Sequence, residues 1–326
     1  MKRIMVTGGA GYIGSHTCKL LRQRGYEPVV YDNLIYGHRW AVKWGPLEVG
    51  DINDAHRLSQ VMRTYKPVAV IHFAAFAYVG ESVIDPEKYY LNNVLGTLNL
   101  LACMRANKIE RIIFSSTCAS YGLPTELPIA ETHVQNPINP YGQSKLMIEK
   151  VLADYDRAYA LRFVALRYFN AAGADPDGEI GESHEPETHA IPLLLDVASG
   201  KRECFTVYGN DYETEDGTCI RDYIHVTDLA SAHVLALESL IQGAPSNVYN
   251  LGNGMGYSVK QLINCAEQIT QTTINVEYGA RRAGDPAVLV GDATKIIAEL
   301  KWLPTFNKLE QIIETAWQWQ TQAGKS

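Results

Sequence analysis

Apolar residues along this chain gather in short dense runs, separated by longer stretches of helical periodicity. Ile4 to Thr7 reads as a buried strand and Ser15 to Arg24 as the helix after it. Glu27 to Tyr31 and Leu47 to Val49 give two further strand patches. Pro67 to Phe73 is rich in β-branched residues, the composition of a parallel strand covered on both faces. Pro86 to Asn107 predicts one long amphipathic helix, and Arg111 to Ser116 and Arg162 to Tyr168 two more strands. A helix is expected to begin at Asn139-Pro140. The asparagine can accept from free N–H groups of the first turn, and proline has no N–H to leave unpaired there. Strands alternating with helices in this way predict an α/β fold, a doubly wound parallel sheet. After Gly173 the composition shifts to glycine, proline and acidic residues until about Glu187, the start of a second, smaller α+β part. His225 to Glu238 then reads as a helix returning to the first part, and Asn247 to Gly252 as a strand.

Composition narrows the classes of function. The 326 residues are 46% hydrophobic, with a net charge of −7 and no long run of lysine and arginine, which argues against nucleic acid or an anionic membrane as partner. No apolar run is long enough to span a bilayer, and Lys2-Arg3 precedes too few apolar residues for a signal peptide. Six cysteines at 18, 103, 118, 204, 219 and 265 form no Cys-x-x-Cys pair, so neither a zinc site nor a disulfide framework is expected, and a cytoplasmic location fits. The stretch His184-Glu185-Pro186-Glu187-Thr188-His189 is not H-E-x-x-H, and Pro186 would break the helix that motif needs, so no metal is expected.

Candidate chemistry comes in a fixed order. Gly8-Gly9-Ala10-Gly11-Tyr12-Ile13-Gly14 lies between strand and helix, where missing side chains let a pyrophosphate reach N–H groups at the positive end of a helix. Asp32-Asn33 closes the second strand. An acid there accepts from an adenosine ribose hydroxyl and repels a 2′-phosphate, favouring NAD over NADP, with His38 and Arg39 nearby to soften that preference. Asp51-Ile52 ends the next strand patch, placed to meet adenine. Small residues in Phe73-Ala74-Ala75 leave room for a cofactor, and hydroxyls collect at Ser115, Ser116 and Thr117, the carboxyl end of a strand where open sheets hold ligands. Tyr141 and Lys145, four apart on the helix from Asn139, share a face, a base beside the ammonium that tunes it.

These residues together resemble the extended short-chain dehydrogenase/reductase family, and specifically its branch of UDP-sugar 4-epimerases. The similarity extends through Val6 to Thr17, Val79 to Ser82, Tyr168-Phe169-Asn170, and Gly209-Asn210-Asp211-Tyr212 through Asp216-Gly217-Thr218 to Arg221-Asp222-Tyr223-Ile224-His225-Val226. The resemblance implies a Rossmann-type NAD-binding domain over 1–170, with 221–253 returning to it, and a UDP-sugar-binding domain over 171–326. It implies Tyr141 as general base and acid, Lys145 on the nicotinamide ribose, and Thr117 bridging Tyr141 to the sugar 4-hydroxyl. It adds Tyr12, Ile13, Asn92 and Tyr168 to the cofactor site. On the substrate side it implies Asn170, His189, Tyr208 against uracil, Arg221 and Arg282 on the diphosphate, Asp285 beside a ribose, and Leu289 facing the sugar. The implied reaction interconverts UDP-glucose and UDP-galactose: hydride passes transiently to tightly bound NAD, giving a 4-keto sugar, and returns to the opposite face. A homodimer is implied, built on the Pro86 to Asn107 helix and the one carrying Tyr141.

The chemistry suits those residues. A phenol titrates near 10, so neutral pH asks for a shift of about 3 units, roughly 4 kcal/mol, and two adjacent positive charges supply that order of energy at an effective dielectric constant near 20. Cys118-Ala119 follow Thr117 where dehydratase relatives carry an Asp-Glu pair, and no glutamate lies between Ser116 and Leu123 where decarboxylase relatives have one. Epimerisation or net oxidation remains. Ala77 stands where some relatives have a phosphate-binding lysine. Thr117, Cys118-Ala119 and Phe76-Ala77-Tyr78-Val79 also resemble a branch acting on UDP-xylose and UDP-arabinose, the alternative substrates.

Overall fold

A computed structural model describes residues 1–282 and 285–323. In chain order the first elements are β1 (Arg3–Thr7), α1 (Tyr12–Gln23), β2 (Glu27–Asp32), β3 (Leu47–Val49), α2 (Ala55–Tyr65), β4 (Ala69–His72) and α3 (Val79–Ile84). Next come α4 (Pro86–Tyr89), a π-helical turn over Tyr90–Leu95, and α5 (Gly96–Ala106). They lead to β5 (Arg111–Thr117), α6 (Pro140–Tyr159), β6 (Arg162–Tyr168), β7 (Asn170–Ala172) and α7 (Ala190–Ala198). The last portion holds β8 (Phe205–Tyr208), β9 (Ile220–Arg221), β10 (Tyr223–His225), α8 (Val226–Ile241), β11 (Asn247–Leu251), β12 (Tyr257–Ser258) and α9 (Val259–Thr270). It closes with β13 (Val276–Gly279), β14 (Val288–Leu289), α10 (Thr294–Leu300) and α11 (Leu309–Ala323).

Seven strands form one sheet in the order β11-β6-β5-β4-β1-β2-β3, every neighbouring pair parallel. Alternation along each strand sends successive side chains to opposite faces. Ile4 and Val6 thus join Val164 and Leu166 in a cluster with α1 and α8 residues such as Leu21 and Leu237. Met5, Ile112 and Phe114 turn the other way, onto Leu58, Leu100 and Leu152 of α2, α5 and α6. A third cluster, including Leu194, Leu262 and Ile312, joins α7, α9 and α11 to the β8–β13 pair. The layered arrangement is Rossmann-type, and the carboxyl ends of β1, β2, β4, β5 and β6 open on one edge where ligands of such sheets bind. Among the described residues, no helix is long and apolar enough to cross a membrane.

Two expected helices differ in detail, and helices α2, α3, α7, α9, α10 and α11 are absent from the sequence expectation. The helix after β1 starts at Tyr12 rather than Ser15, because Gly11 already has an extended N-cap conformation. The helix expected over Pro86 to Asn107 runs without a break from Pro86 to Ala106, but its middle is a π turn, which carries Asn92 and Asn93. The extra residue per turn leaves Asn93 buried with its amide on Phe76: the carboxamide oxygen accepts from Phe76 N at 2.9 Å, and Nδ2 donates to Phe76 O at 3.0 Å. Helix α3, absent from the sequence reading, is only six residues long and exposes Val79, Val83 and Ile84.

Candidate active site

The glycine turn is built around close approach. Gly8 has φ +73°, and a Cβ there would lie 2.6 Å from Ala74 N, so only glycine lets β1 end against the end of β4. Ala74 and Phe73 N–H groups both donate to Thr7 O, at 3.1 and 2.9 Å, placing Phe73, Ala74 and Ala75 beside the turn. Around Gly11 the space is open: a Cβ would meet only Gly8 O, at 3.4 Å. Gly11 offers α1 no side-chain cap, so the first-turn N–H groups at Tyr12, Ile13 and buried Gly14 find no capping partner. Asp32, buried at the end of β2, accepts from Ala10 N at 3.0 Å and Leu34 N at 2.8 Å, and burial pushes its carboxyl above the usual range. Asn33 Nδ2 donates to Asp51 at 2.8 Å, joining the ends of β2 and β3, while the Ile52 side chain is buried in the core. Tyr12 Oη donates to Gly173 O at 2.5 Å.

The reactive group lies at the end of β5 and the start of α6. Asn139 caps α6 by accepting from Gly142 N at 2.8 Å, and Pro140 occupies its first turn. A Cβ on Gly142 would fall 2.4 Å from Ala119 O, so the helix seats tightly on the turn after Thr117. Lys145 is buried, donates to Ser115 O at 2.8 Å and lies 5.9 Å from the centre of the Tyr141 ring. Tyr141 and Lys145 do lie together, as their spacing requires. Thr117 Oγ1 accepts from Ala119 N at 3.1 Å and lies close enough to Tyr141 to draw its phenol downward, and Ser115 Oγ pairs with Tyr168 Oη behind them. Asn92, on the π turn, donates to Asn93 at 2.9 Å, and Asn93 reaches Ser144 of α6 at 3.2 Å.

The electrostatics are those of a site completed by a further cation. Burial raises the Tyr141 phenol well above its ordinary value and nearby Tyr168 adds to the effect, outweighing the pull of Thr117. Burial also lowers the Lys145 ammonium to about 7, against the pull of Glu149. The chain alone therefore holds Tyr141 as a phenol. An oxidised nicotinamide bound beside it would supply a positive charge, and the open glycine turn, the uncapped α1 terminus and Asp32 would hold the rest of a dinucleotide.

Sequence reasoning missed the group beneath this pair. Glu149, also on α6, is buried and accepts from Ser116 Oγ at 2.5 Å and from Arg167 Nε at 3.0 Å, closing an ion pair with Arg167. Arg167 further donates to Tyr121 Oη at 2.8 Å. Glu149 and Arg167 lie near recognised motifs, but no local pattern shows that they meet.

The residues expected to face substrate gather around β7, β9 and β14. Asn170 donates from N and Nδ2 to Asp222 O, at 3.1 and 3.0 Å. Arg221 pairs with Asp285 at 2.5 Å rather than with its sequence neighbour Asp222. Asp222, between β9 and β10, instead accepts from the N–H groups of Asn253, Gly254 and Gly291. Burial pushes the Asp222 carboxyl up to about 7 despite those bonds. Arg282 stacks on Tyr208, 4.1 Å from the ring centre, and Leu289 pairs in register with Arg221. His189 caps the start of α7, half exposed, with Nδ1 2.5 Å from Glu182 Oε1. Arg221 also acts electrostatically on the Cys118 thiol, which ties this group to the residue after Thr117.

A profile of the NAD dependent epimerase/dehydratase family matches residues 4–252, and the chain belongs to that family. It is 54% identical to a UDP-glucose 4-epimerase of Rhizobium leguminosarum bv. trifolii, over 99% of this chain and 98% of the relative. The crystal structure of a UDP-glucose 4-epimerase from Brucella ovis in complex with NAD is 55% identical, covering 97% of this chain and 98% of that one, with a TM-score of 0.95. A UDP-glucose-4-epimerase from Stenotrophomonas maltophila, with bound NAD and formylated UDP-arabinopyranose, is 38% identical and covers 100% and 99%, with a TM-score of 0.96.

Proposed function

We propose that this chain is a UDP-glucose/UDP-galactose 4-epimerase working with tightly bound NAD. The observation that carries the reading is the Thr117–Tyr141–Lys145 group at the carboxyl end of the sheet, with Thr117 and Lys145 buried and Lys145 5.9 Å from the Tyr141 ring centre. Residues 1–170 with 221–253 hold the dinucleotide, through Gly8, Gly11, Tyr12, Ile13, Gly14, Asp32, Asn33, Asp51, Ile52, Phe73, Ala74, Ala75, Asn92, Ser115 and Tyr168. Residues 171–326 supply the UDP-sugar contacts. When bound, NAD supplies the acceptor and donor of hydride. Tyr141 takes the proton of the sugar 4-hydroxyl at its phenolic oxygen and returns it, with Thr117 relaying the hydrogen bond. Lys145 orients the nicotinamide ribose and favours the phenolate. Arg221 and Arg282 hold the diphosphate, Tyr208 stacks on uracil, Asp285 receives a ribose hydroxyl, and Asn170, His189 and Leu289 line the sugar.

UDP-galactose supplied without added NAD should give UDP-glucose with no accumulating NADH, whereas NADH formed in proportion to product would identify a net oxidoreductase. A second reading, action on UDP-xylose and UDP-arabinose, is favoured by Thr117 with Cys118-Ala119 behind it. A panel of both hexose and both pentose nucleotides with products quantified separates the two. The partner surface is a homodimer face on the Pro86 to Asn107 helix and α6, where Leu91 is 51%, Leu95 45% and Met147 37% exposed.

A further inference from the structure

The segment between β7 and α7 draws Glu182, His184, Glu187 and His189 together, with one ligating atom from each within 4.8 Å of the others. His184 Nδ1 lies 3.2 Å from Glu182 Oε1 and 3.6 Å from Glu187 Oε2. His189 Nδ1 lies 2.5 Å from Glu182 Oε1 and 3.6 Å from Glu187 Oε1. Both imidazoles thus present the same ring nitrogen to the same two carboxylates. His184 Nδ1 is buried and, despite its proximity to Glu182, makes no hydrogen bond. This ring nitrogen faces both carboxylates at ion-pair distance without the angle of a hydrogen bond, so both imidazoles and both carboxylates converge on one point. The Glu182 side chain is only 6% exposed, while His189 at 50% leaves a way in.

We propose that Glu182, His184, Glu187 and His189 form a four-coordinate site for zinc. Two imidazoles and two carboxylates are a donor set that ion accepts, and the carboxylates balance its charge. Metal–ligand bonds of about 2.0–2.2 Å place tetrahedral ligands roughly 3.3–3.6 Å apart. Three of the four imidazole–carboxylate separations fall near that range, and the Glu182–His189 contact has to open. Pro186 excludes a helical His-x-x-x-His motif, but it does not prevent a loop from converging the same atoms.

The ion fastens this loop beside the glycine turn. The His184 ring meets the rings of Tyr12 and Tyr78 edge-on, at 6.3 and 6.4 Å. The loop is held further by Ser183 O against His38 Nε2 at 2.9 Å, Pro186 O accepting from Tyr78 Oη at 3.2 Å, and Glu182 O accepting from Trp319 Nε1 at 3.0 Å. Zinc therefore stabilises the strap that carries His189. The acidic group of Asp175, Asp177 and Glu179 is not a rival, because Lys19 Nζ already sits among them at 2.8, 2.7 and 2.7 Å.

The test uses the full chain with its cofactor, treated with chelator and then titrated with ZnCl2 by calorimetry and with CoCl2 by visible absorption. One equivalent of zinc per chain is expected, with the intense bands of four-coordinate cobalt. His184→Ala and Glu182→Gln should each weaken binding by more than the about 10–100-fold that loss of an outer-shell partner causes. Asp177→Ala should leave it unchanged. Each variant is first melted metal-free, and one that unfolds early is replaced by Glu187→Gln. Absence of stoichiometric binding, a six-coordinate cobalt spectrum, or equal binding by the ligand variants overturns the proposal. Because metal binding is the readout, failure here leaves the epimerase reading untouched.

Discussion

At the scale of single residues, the site turns on one phenol whose proton is hard to remove. Burial works against both partners, holding Tyr141 protonated and bringing Lys145 to about 7. Tyr141→Phe keeps the ring and its contact with Tyr89 while removing the proton carrier. Turnover should fall by about 10²–10⁴-fold, the usual worth of a positioned acid or base, with NAD content of the purified protein unchanged. Retained turnover would transfer the proton to another group. Arg221, proposed to hold the diphosphate, is braced by Asp285 and by Ile220 O. Arg221→Lys keeps the charge but loses the planar fork, so KM for the UDP-sugar should rise more than kcat falls.

At the scale of elements, helix α6 must be held to within a fraction of an ångström for that phenol to act. Asn139 and Gly142 set where it starts, and the Glu149–Arg167 ion pair anchors it to β6. Removing one partner of a buried pair strands the other charge, so Arg167→Met should cost about 3–5 kcal/mol in urea unfolding. The double variant Glu149→Leu with Arg167→Met should recover much of that loss. If it is no better than the single variant, the pair is not the anchor. The cap at Asn139 was legible because capping is read within three residues. The π turn was not, because it depends on where Asn93 finds Phe76.

Across the whole molecule, buried histidines set the acid limit. Burial lowers His16 and His233 to about 4 and His72 and His225 to about 3, against 6.5 in a free chain. The unfolded chain thus takes up these protons first. Their contribution is complete above pH 6.5 and is lost as pH falls toward 4, each group at no more than about 1.4 kcal/mol per pH unit. Asp222, raised to about 7, has the opposite sign and offsets one of the four. His233, packed on Phe73 and Tyr168 with Nε2 unpartnered, is the cleanest probe. His233→Leu should flatten the acid loss between pH 6.5 and 4 by about one proton, measured by urea midpoints across pH. At the same scale, Leu91→Glu on the exposed helical face should shift the sedimentation coefficient from dimer to monomer. An unchanged coefficient would place the interface elsewhere.

The seven strands of the parallel sheet, the glycine turn, the Asn139 cap and the shared face of Tyr141 and Lys145 were determined by the sequence itself. Each depends on spacings of a few residues or on one period of hydrophobicity, and such information survives in one dimension. Resemblance to a family extended that reading to substrate residues far apart in the chain. Only the tertiary structure paired Arg221 with Asp285 across 64 positions, set Glu149 on Arg167, and turned Asp222 away from its neighbour. It also brought two histidines and two glutamates to one point on a proline-containing loop. The physical reason is common to these cases. A loop has no period, and contacts between elements follow none, so neighbours in space are chosen by packing rather than by spacing.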